Sequence, residues 1–228
     1  MLITNASQPI GIFDSGLGGL SVVNALTKLL PGEDIIYFGD TGRVPYGTRS
    51  PHTIESYTQQ DIAFLKSKNV KLVIAACGTV SSVASHVGET CGLPFLGVVK
   101  PTAAAAVAAT KNKKIGVIGT AATIKSGSFT KEIATTDPTI QVFGQSCQLF
   151  VQMVEEGFLG QDDPIPNAVC KRYLQPLIDQ QVDTLILGCT HFPLLAPVIR
   201  NIMGDAVTLI DSGHAAAHFA ANVAGINS

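Results

Sequence analysis

Seven short apolar runs punctuate this chain without alternating with polar residues: "IGIF" (10–13), "DIIYFG" (34–39), "KLVIAA" (71–76), "PFLGV" (94–98), "KIGVIG" (114–119), "DTLILG" (183–188) and "VTLI" (207–210). A strand with one wet face alternates, whereas an unbroken run reads as a strand covered on both faces, as in parallel sheets flanked by helices. Helical patterns lie between the runs. "LSVVNALTKLL" (20–30) sets Val22, Val23, Leu26, Leu29 and Leu30 on one side, and Pro31-Gly32 stops it. Repeated over 228 residues, this βαβα rhythm predicts an α/β fold with mainly parallel sheets.

The two halves of the chain echo one another. "IGIFDSGLGGLS" from Ile10 resembles "IGVIGTAATIKS" from Ile115, and "KLVIAACGT" resembles "DTLILGCTH", which puts Cys77 and Cys189 after matching strands. Open α/β sheets bind ligands outside the carboxyl ends of their strands, so both cysteines fall where sites are built.

Composition narrows the function. With 46% apolar and 14% charged residues the chain is globular, and its net charge of −2 argues against a general nucleic-acid binder. The dense basic run "KNKK" (111–114) reads as a solvated turn. No apolar run approaches a membrane span, and the opening "MLITNASQPIGIF" has neither a basic start nor a long apolar stretch, so no export signal is expected. Five cysteines without a CxxC pair then favour reduced thiols in the cytosol over disulfides or zinc.

Several stretches carry polar groups at strand ends. "DSGLGGLS" (14–21) and "GTAATIKS" (119–126) look like helix-entry loops with exposed N–H groups, but neither completes a nucleotide-binding fingerprint. Asp14 reads equally as a helix cap or as a group that holds or orients a proton-transfer partner. In "LGCTHFPLL" (187–195), Cys189 reads either as a small buried hydrophobe or as a thiol activated by His191 and a following helix from 194 onward. "RVPYGTRS" (43–50) is a turn. Together these features make one set: two thiols at equivalent strand ends, carboxylates and a histidine nearby, and anion-holding loops. Such a set suits removal of a proton from carbon and its return on the other face, each thiol being poised near neutral pKa.

Those same stretches, with "FGDTGRVPYG", "FVQMVEEG" and "IDSG", occur in an order that resembles the glutamate racemases, within the cofactor-independent aspartate/glutamate racemase superfamily. The resemblance implies two similar doubly wound α/β lobes, related by a pseudo-two-fold axis, with the active site in the cleft between them. Residues 1–98 with 209–228 would form one lobe and 99–208 the other. It implies Cys77 and Cys189 as acid/bases, with Asp14 beside Cys77, and His191 and Glu155 on the Cys189 side. Ser15, Pro45, Tyr46, Gly47, Gly78, Thr79, Thr190 and His191 would hold the substrate with Asp14, and Thr120 and Thr123 would join them. Glutamate would be the substrate, without pyridoxal phosphate, other cofactor or metal, in a cytoplasmic homodimer that supplies D-glutamate for peptidoglycan. Aspartate, a hydantoin or a malonate stay open as alternative substrates, as does a two-lobed binding protein without catalysis.

This chain departs from that pattern at four points. Gly78 stands where the family usually has Asn, Phe192 where Tyr is common, and Gln148 where Pro often follows the cysteine matching Cys147. The sequence also ends at Ser228, sooner after "IDSG" than is usual.

Overall fold

The seven unbroken apolar runs all become strands, divided between two separate parallel sheets. The computed structural model describes residues 7–223; residues 1–6 and 224–228, expected at the ends of the first lobe, lie outside the described residues. The first half holds β1 (Ile10–Asp14), α1 (Leu20–Leu29), β2 (Ile35–Gly39), α2 (Pro51–Ser67), β3 (Leu72–Ala75), α3 (Gly78–Val83), α4 (Ser85–Glu89) and β4 (Phe95–Gly97). The second holds α5 (Val99–Ala109), β5 (Lys114–Gly119), α6 (Ala121–Ser126), α7 (Ser128–Thr136), β6 (Gln141–Ser146), α8 (Gln148–Glu155), α9 (Pro164–Asp179), β7 (Thr184–Leu187), α10 (Ala196–Met203) and β8 (Thr208–Asp211). The sheet orders are β2-β1-β3-β4 and β6-β5-β7-β8, the same topology twice. The last described helix, α11 (Ser212–Val223), returns to pack on α1.

Burial explains the runs. On β1 and β3, Ile10, Ile12, Leu72 and Ile74 point into a core shared with α1 and α11, while Phe13, Val73 and Ala75 point into a second core with α2 and α3. In the second sheet Ile118, Leu185 and Leu187 face α8, α9 and α10, and Ile115, Val117 and Ile186 face α5 and α7. Each fully buried Ile or Leu contributes about 1.5–3 kcal/mol relative to exposure, so a strand with both faces covered tolerates few polar residues. The echo in the sequence is a register match: Ile10 pairs with Leu72, and Ile115 pairs with Thr184.

The structure corrects three sequence expectations. β6 was not expected from its sequence, because Gln141, Gln145 and Ser146 break its apolar character; it is an edge strand and needs no buried second face. Leu29, expected on the buried stripe of α1, is exposed, and Ala25 takes the inward position with Val22 and Leu26. Residues 209–211, expected in the first lobe, pair with Leu185–Leu187 of β7, so the return to the first half begins at Ser212.

In both sheets the chain runs from the first strand to one side and crosses back over it to the third. This makes a switch point between β1 and β3, and another between β5 and β7, where crevices open at the strands' carboxyl ends. Asp14 and Cys77 sit at the first switch point; Thr120 and Cys189 sit at the second. Among the described residues no helix is long and apolar enough to cross a membrane.

Candidate active site

The two switch points face each other, and the loops after β1, β2, β3, β5 and β7 close over one cavity. Ser15, Cys77, Gly78 and Thr79 line it from the first half, and Thr120, Cys189, Thr190 and His191 from the second. Pro45, Tyr46 and Gly47 complete the wall from the loop after β2. The cavity measures only about 20 Å³, room for about one water molecule.

Short local signals fix these positions. Cys77 leaves β3 in an extended conformation and caps α3, so its thiol lies at a helix start. Thr120 caps α6, its Oγ1 accepting from the Thr123 N–H at 3.3 Å. Ser50 caps α2, accepting from the Thr53 N–H at 3.2 Å ahead of Pro51, which anchors the loop that carries Tyr46 and Gly47. After β7, Phe192–Leu195 makes a single 3-10 turn before α10, so the helix expected from 194 begins at Ala196.

The two thiols have different neighbours. Cys77 Sγ donates to Ser15 Oγ at 3.6 Å. Beneath it Asp14, fully buried, accepts from the N–H groups of Gly16 at 3.2 Å and Gly19 at 3.0 Å, and from Thr190 Oγ1 of the other half at 3.3 Å. Cys189 Sγ shares a hydrogen bond with His191 Nδ1 at 3.7 Å, and His191 Nε2 meets Glu155 Oε1 at 2.5 Å. The Glu155 side chain is 40% exposed, so this second chain of groups reaches water.

Burial dominates the electrostatics. It pushes the Cys77 thiol up to about 11, with the nearby Asp14 charge adding to the rise, while the Val80 N–H and Ser15 pull it back. Burial pushes Cys189 up further; the His191 N–H opposes this, and the charges of Cys77 and Asp14 reinforce it. Asp14 is raised by its own burial, against the lowering effects of the His191 charge, the Gly19 and Gly16 N–H groups and Thr190. Thiols poised near neutrality, as the sequence suggested, are therefore not what the closed cavity holds. Desolvation outweighs the helix start and the imidazole, and both sulfurs rest protonated.

Not every residue expected at the site touches the cavity. Asp14 lies under the loop, Glu155 behind His191, and Thr123 behind Thr120, whose Oγ1 is 3.1 Å from its own. The Tyr46 hydroxyl is taken up by Asp40 and Asp61, so the hydroxyl is not free for a ligand. Two lining residues, Val44 and Val151, escaped sequence reading because a lone valine carries no chemical signature. Tyr37 was also missed: its hydroxyl donates to the Gly16 carbonyl at 2.6 Å and pins the loop that holds Asp14. Phe192 is wholly buried, edge-on to Phe150 at 5.1 Å, so this departure belongs to the core.

Gly78 has a physical reason. A Cβ built there would collide with the Gly188 carbonyl oxygen and lie 3.6 Å from the Cys189 Cα. Gly18 against Thr190 and Gly47 against Thr120 are comparably tight. At three places around the cavity, a glycine of the first half lets the second half approach closer than any side chain allows. The hydroxyls of Thr79 and Thr120 then meet across the same seam at 3.0 Å.

Two parallel-sheet halves facing across a pair of thiols define a class. The chain belongs to the Asp/Glu/Hydantoin racemase family, which it matches over residues 10–220. Within that family its relatives are more particular. It is 48% identical over 215 residues to the glutamate racemase of Chlorobaculum tepidum, covering 93% of this chain and 78% of the relative. Among solved structures it resembles a glutamate racemase of Bacillus anthracis (TM-score 0.92, 36% identity, 96% of this chain and 82% of that one). It also resembles the Francisella tularensis glutamate racemase determined in complex with D-glutamate (TM-score 0.89, 39% identity, 96% and 81%).

Proposed function

We propose that this chain interconverts L- and D-glutamate with two thiols, one taking the α-proton and the other returning a proton to the opposite face. The observation that carries the reading is the pair Cys77 and Cys189, each at the end of the third strand of its sheet, both lining one small cavity. In one direction the Cys77 thiolate takes the α-proton from D-glutamate. The electron pair stays on Cα, and the Cys189 thiol delivers its proton to the opposite face, leaving L-glutamate, a Cys77 thiol and a Cys189 thiolate. The reverse direction exchanges these roles. Asp14 serves the Cys77 side as a proton holder, and His191 with Glu155 serves the Cys189 side.

The raised thiols fit this scheme if the substrate supplies what burial removes. An ammonium group brought into a water-poor cavity favours a neighbouring thiolate more strongly than it does in bulk water. The hydroxyls of Ser15, Thr79, Thr120 and Thr190, with the backbone N–H groups around Gly47 and Gly78, hold the carboxylates. No pyridoxal phosphate or metal enters this scheme. A cytoplasmic homodimer supplying D-glutamate to peptidoglycan completes the proposal; the names of the relatives support the racemase activity within it.

The test is a polarimetric assay of the purified protein with both enantiomers of glutamate and of aspartate. Loss of rotation with either glutamate enantiomer is expected. Turnover of aspartate with none of glutamate would overturn the choice of substrate.

A further inference from the structure

A second, much larger space lies beside the thiol cavity. It is an open groove of about 750 Å³ along the seam between the halves, and Gly47 forms part of the wall of both. Arg49, Ser50 and Ser82 line it from the first half, and Lys125, Ser126 and Gln148 from the second. Among the described residues no Asp or Glu lines it, although the chain carries 17 acidic residues and a net charge of −2. Arg49 and Lys125 are exposed, and neither meets a carboxylate among the described residues. Arg43, by contrast, is tied to Asp40 and Asp61. The Ser82 hydroxyl is shut off from solvent without a hydrogen-bond partner.

We propose that this groove is an anion-binding vestibule in which Arg49 and Lys125 collect the dicarboxylate substrate before the two halves part to admit it. The inference rests on the glutamate reading above. Glutamate carries two carboxylates against one ammonium, and a cleft lined by one sign of charge raises the local concentration and on-rate of an opposite ion by about 10- to 1,000-fold. The thiol cavity, at about 20 Å³, takes a glutamate only after the seam opens. Arg49 and Lys125 lie on opposite sides of that seam, and Gly47 at its edge separates them from the thiols. An anion held in the groove therefore waits at the boundary that must open. Both cations face water, so the attraction is screened beyond about 8 Å at physiological salt and weakens as salt rises.

The experiment is steady-state glutamate racemisation by the wild type and by the double variant Arg49→Glu with Lys125→Glu, over a range of sodium chloride. The wild type's kcat/KM is expected to fall with salt. The double variant should lose about tenfold in kcat/KM at low salt, keep its kcat, and show a flat or inverted salt dependence. A double variant that matches the wild type in both kcat/KM and salt slope overturns the vestibule. A parallel ligand-observed NMR titration with glutarate, which has both carboxylates and no amino group, needs no turnover. Weaker glutarate binding by the double variant supports the vestibule even if glutamate is not turned over, and that failure would then belong to the activity reading alone. Equal glutarate binding by both proteins overturns it.

Discussion

The halves of this molecule share a sheet order, a switch point and a cysteine in the same place, yet they surround that cysteine differently. In the first half the thiol rests over a sealed carboxyl, Asp14, held by two backbone N–H groups and by Thr190 from across the seam. In the second the thiol meets an imidazole whose other nitrogen meets a carboxylate open to water. Cys77 is followed by Gly78 and Thr79, and Cys189 by Thr190 and His191. The repeat supplies the frame for two opposed thiols. The residues after each strand supply their individuality. In the proposed mechanism, this symmetric frame with unequal partners gives one face a closed proton store and the other a path to solvent.

Removing either sulfur should break the symmetry completely. Cys77→Ser and Cys189→Ser should each lower racemisation by about 10³-fold or more, since a serine hydroxyl is a far poorer base than a thiol, with circular dichroism unchanged. Asp14→Asn should come next, at about 10²-fold, because it removes the buried carboxyl beneath Cys77. His191→Asn should cost about tenfold, and Glu155→Gln only a few-fold, because water can replace a half-exposed carboxylate. The enantiomers are equal in energy, so each variant must keep kcat/KM equal in the two directions. The asymmetry should appear in the separate kcat values, and equal losses of kcat in both directions for Asp14→Asn and His191→Asn would contradict unequal partners.

Gly78 tests how tightly the halves must close. Gly78→Asn introduces the residue that the family resemblance leads one to expect here, but it drives a Cβ against the Gly188 carbonyl. Overpacking of this kind costs about 1–3 kcal/mol, so melting should occur at lower temperature and activity should fall. Gly78→Asn with unchanged melting temperature and full activity would show that the seam opens without cost. The same variant at a site with ordinary spacing would be harmless, so the effect reads the seam and not the residue type.

The thiols' acidity gives a finer contrast. A thiol raised by burial stays protonated until the pH passes its folded value, so thiolate appears later than the ordinary 9.0. Ultraviolet thiolate titration should show an inflection near 11 that Cys77→Ser removes, while Cys189→Ser should take away only its share of the still more alkaline rise, to which the buried Cys147 and Cys170 also contribute. The unfolded chain ionises its cysteines first, so stability contributed by the neutral Cys77 thiol is lost as pH rises from about 9 to 11. An inflection near neutrality in the ligand-free enzyme would contradict burial as the dominant influence.

Much of this frame was legible in residues. Each of the seven apolar runs became a strand, and the inner strands β1, β3, β5 and β7, covered on both faces, carry the clearest uninterrupted hydrophobic signature. β6 was not legible, since an edge strand can carry Gln141 and Gln145 without penalty. The thiols' positions could be read from the matching strand ends, but their acidity could not, because it depends on a cavity that exists only when the two halves close. Gly78 was visible as an oddity, and its reason lay 110 residues away in the Gly188 carbonyl. Contacts across the seam leave no periodic trace in either half.

The central claim is that one thiol takes the α-proton of glutamate and the opposed thiol returns a proton of its own to the other face. It is tested most directly by following each glutamate enantiomer in D₂O by proton NMR with the wild type, Cys77→Ser and Cys189→Ser. The wild type should place solvent deuterium on Cα as it racemises, and each serine variant should lose racemisation while remaining folded. Racemisation at the full wild-type rate in either serine variant, or inversion that leaves Cα free of deuterium, would contradict it.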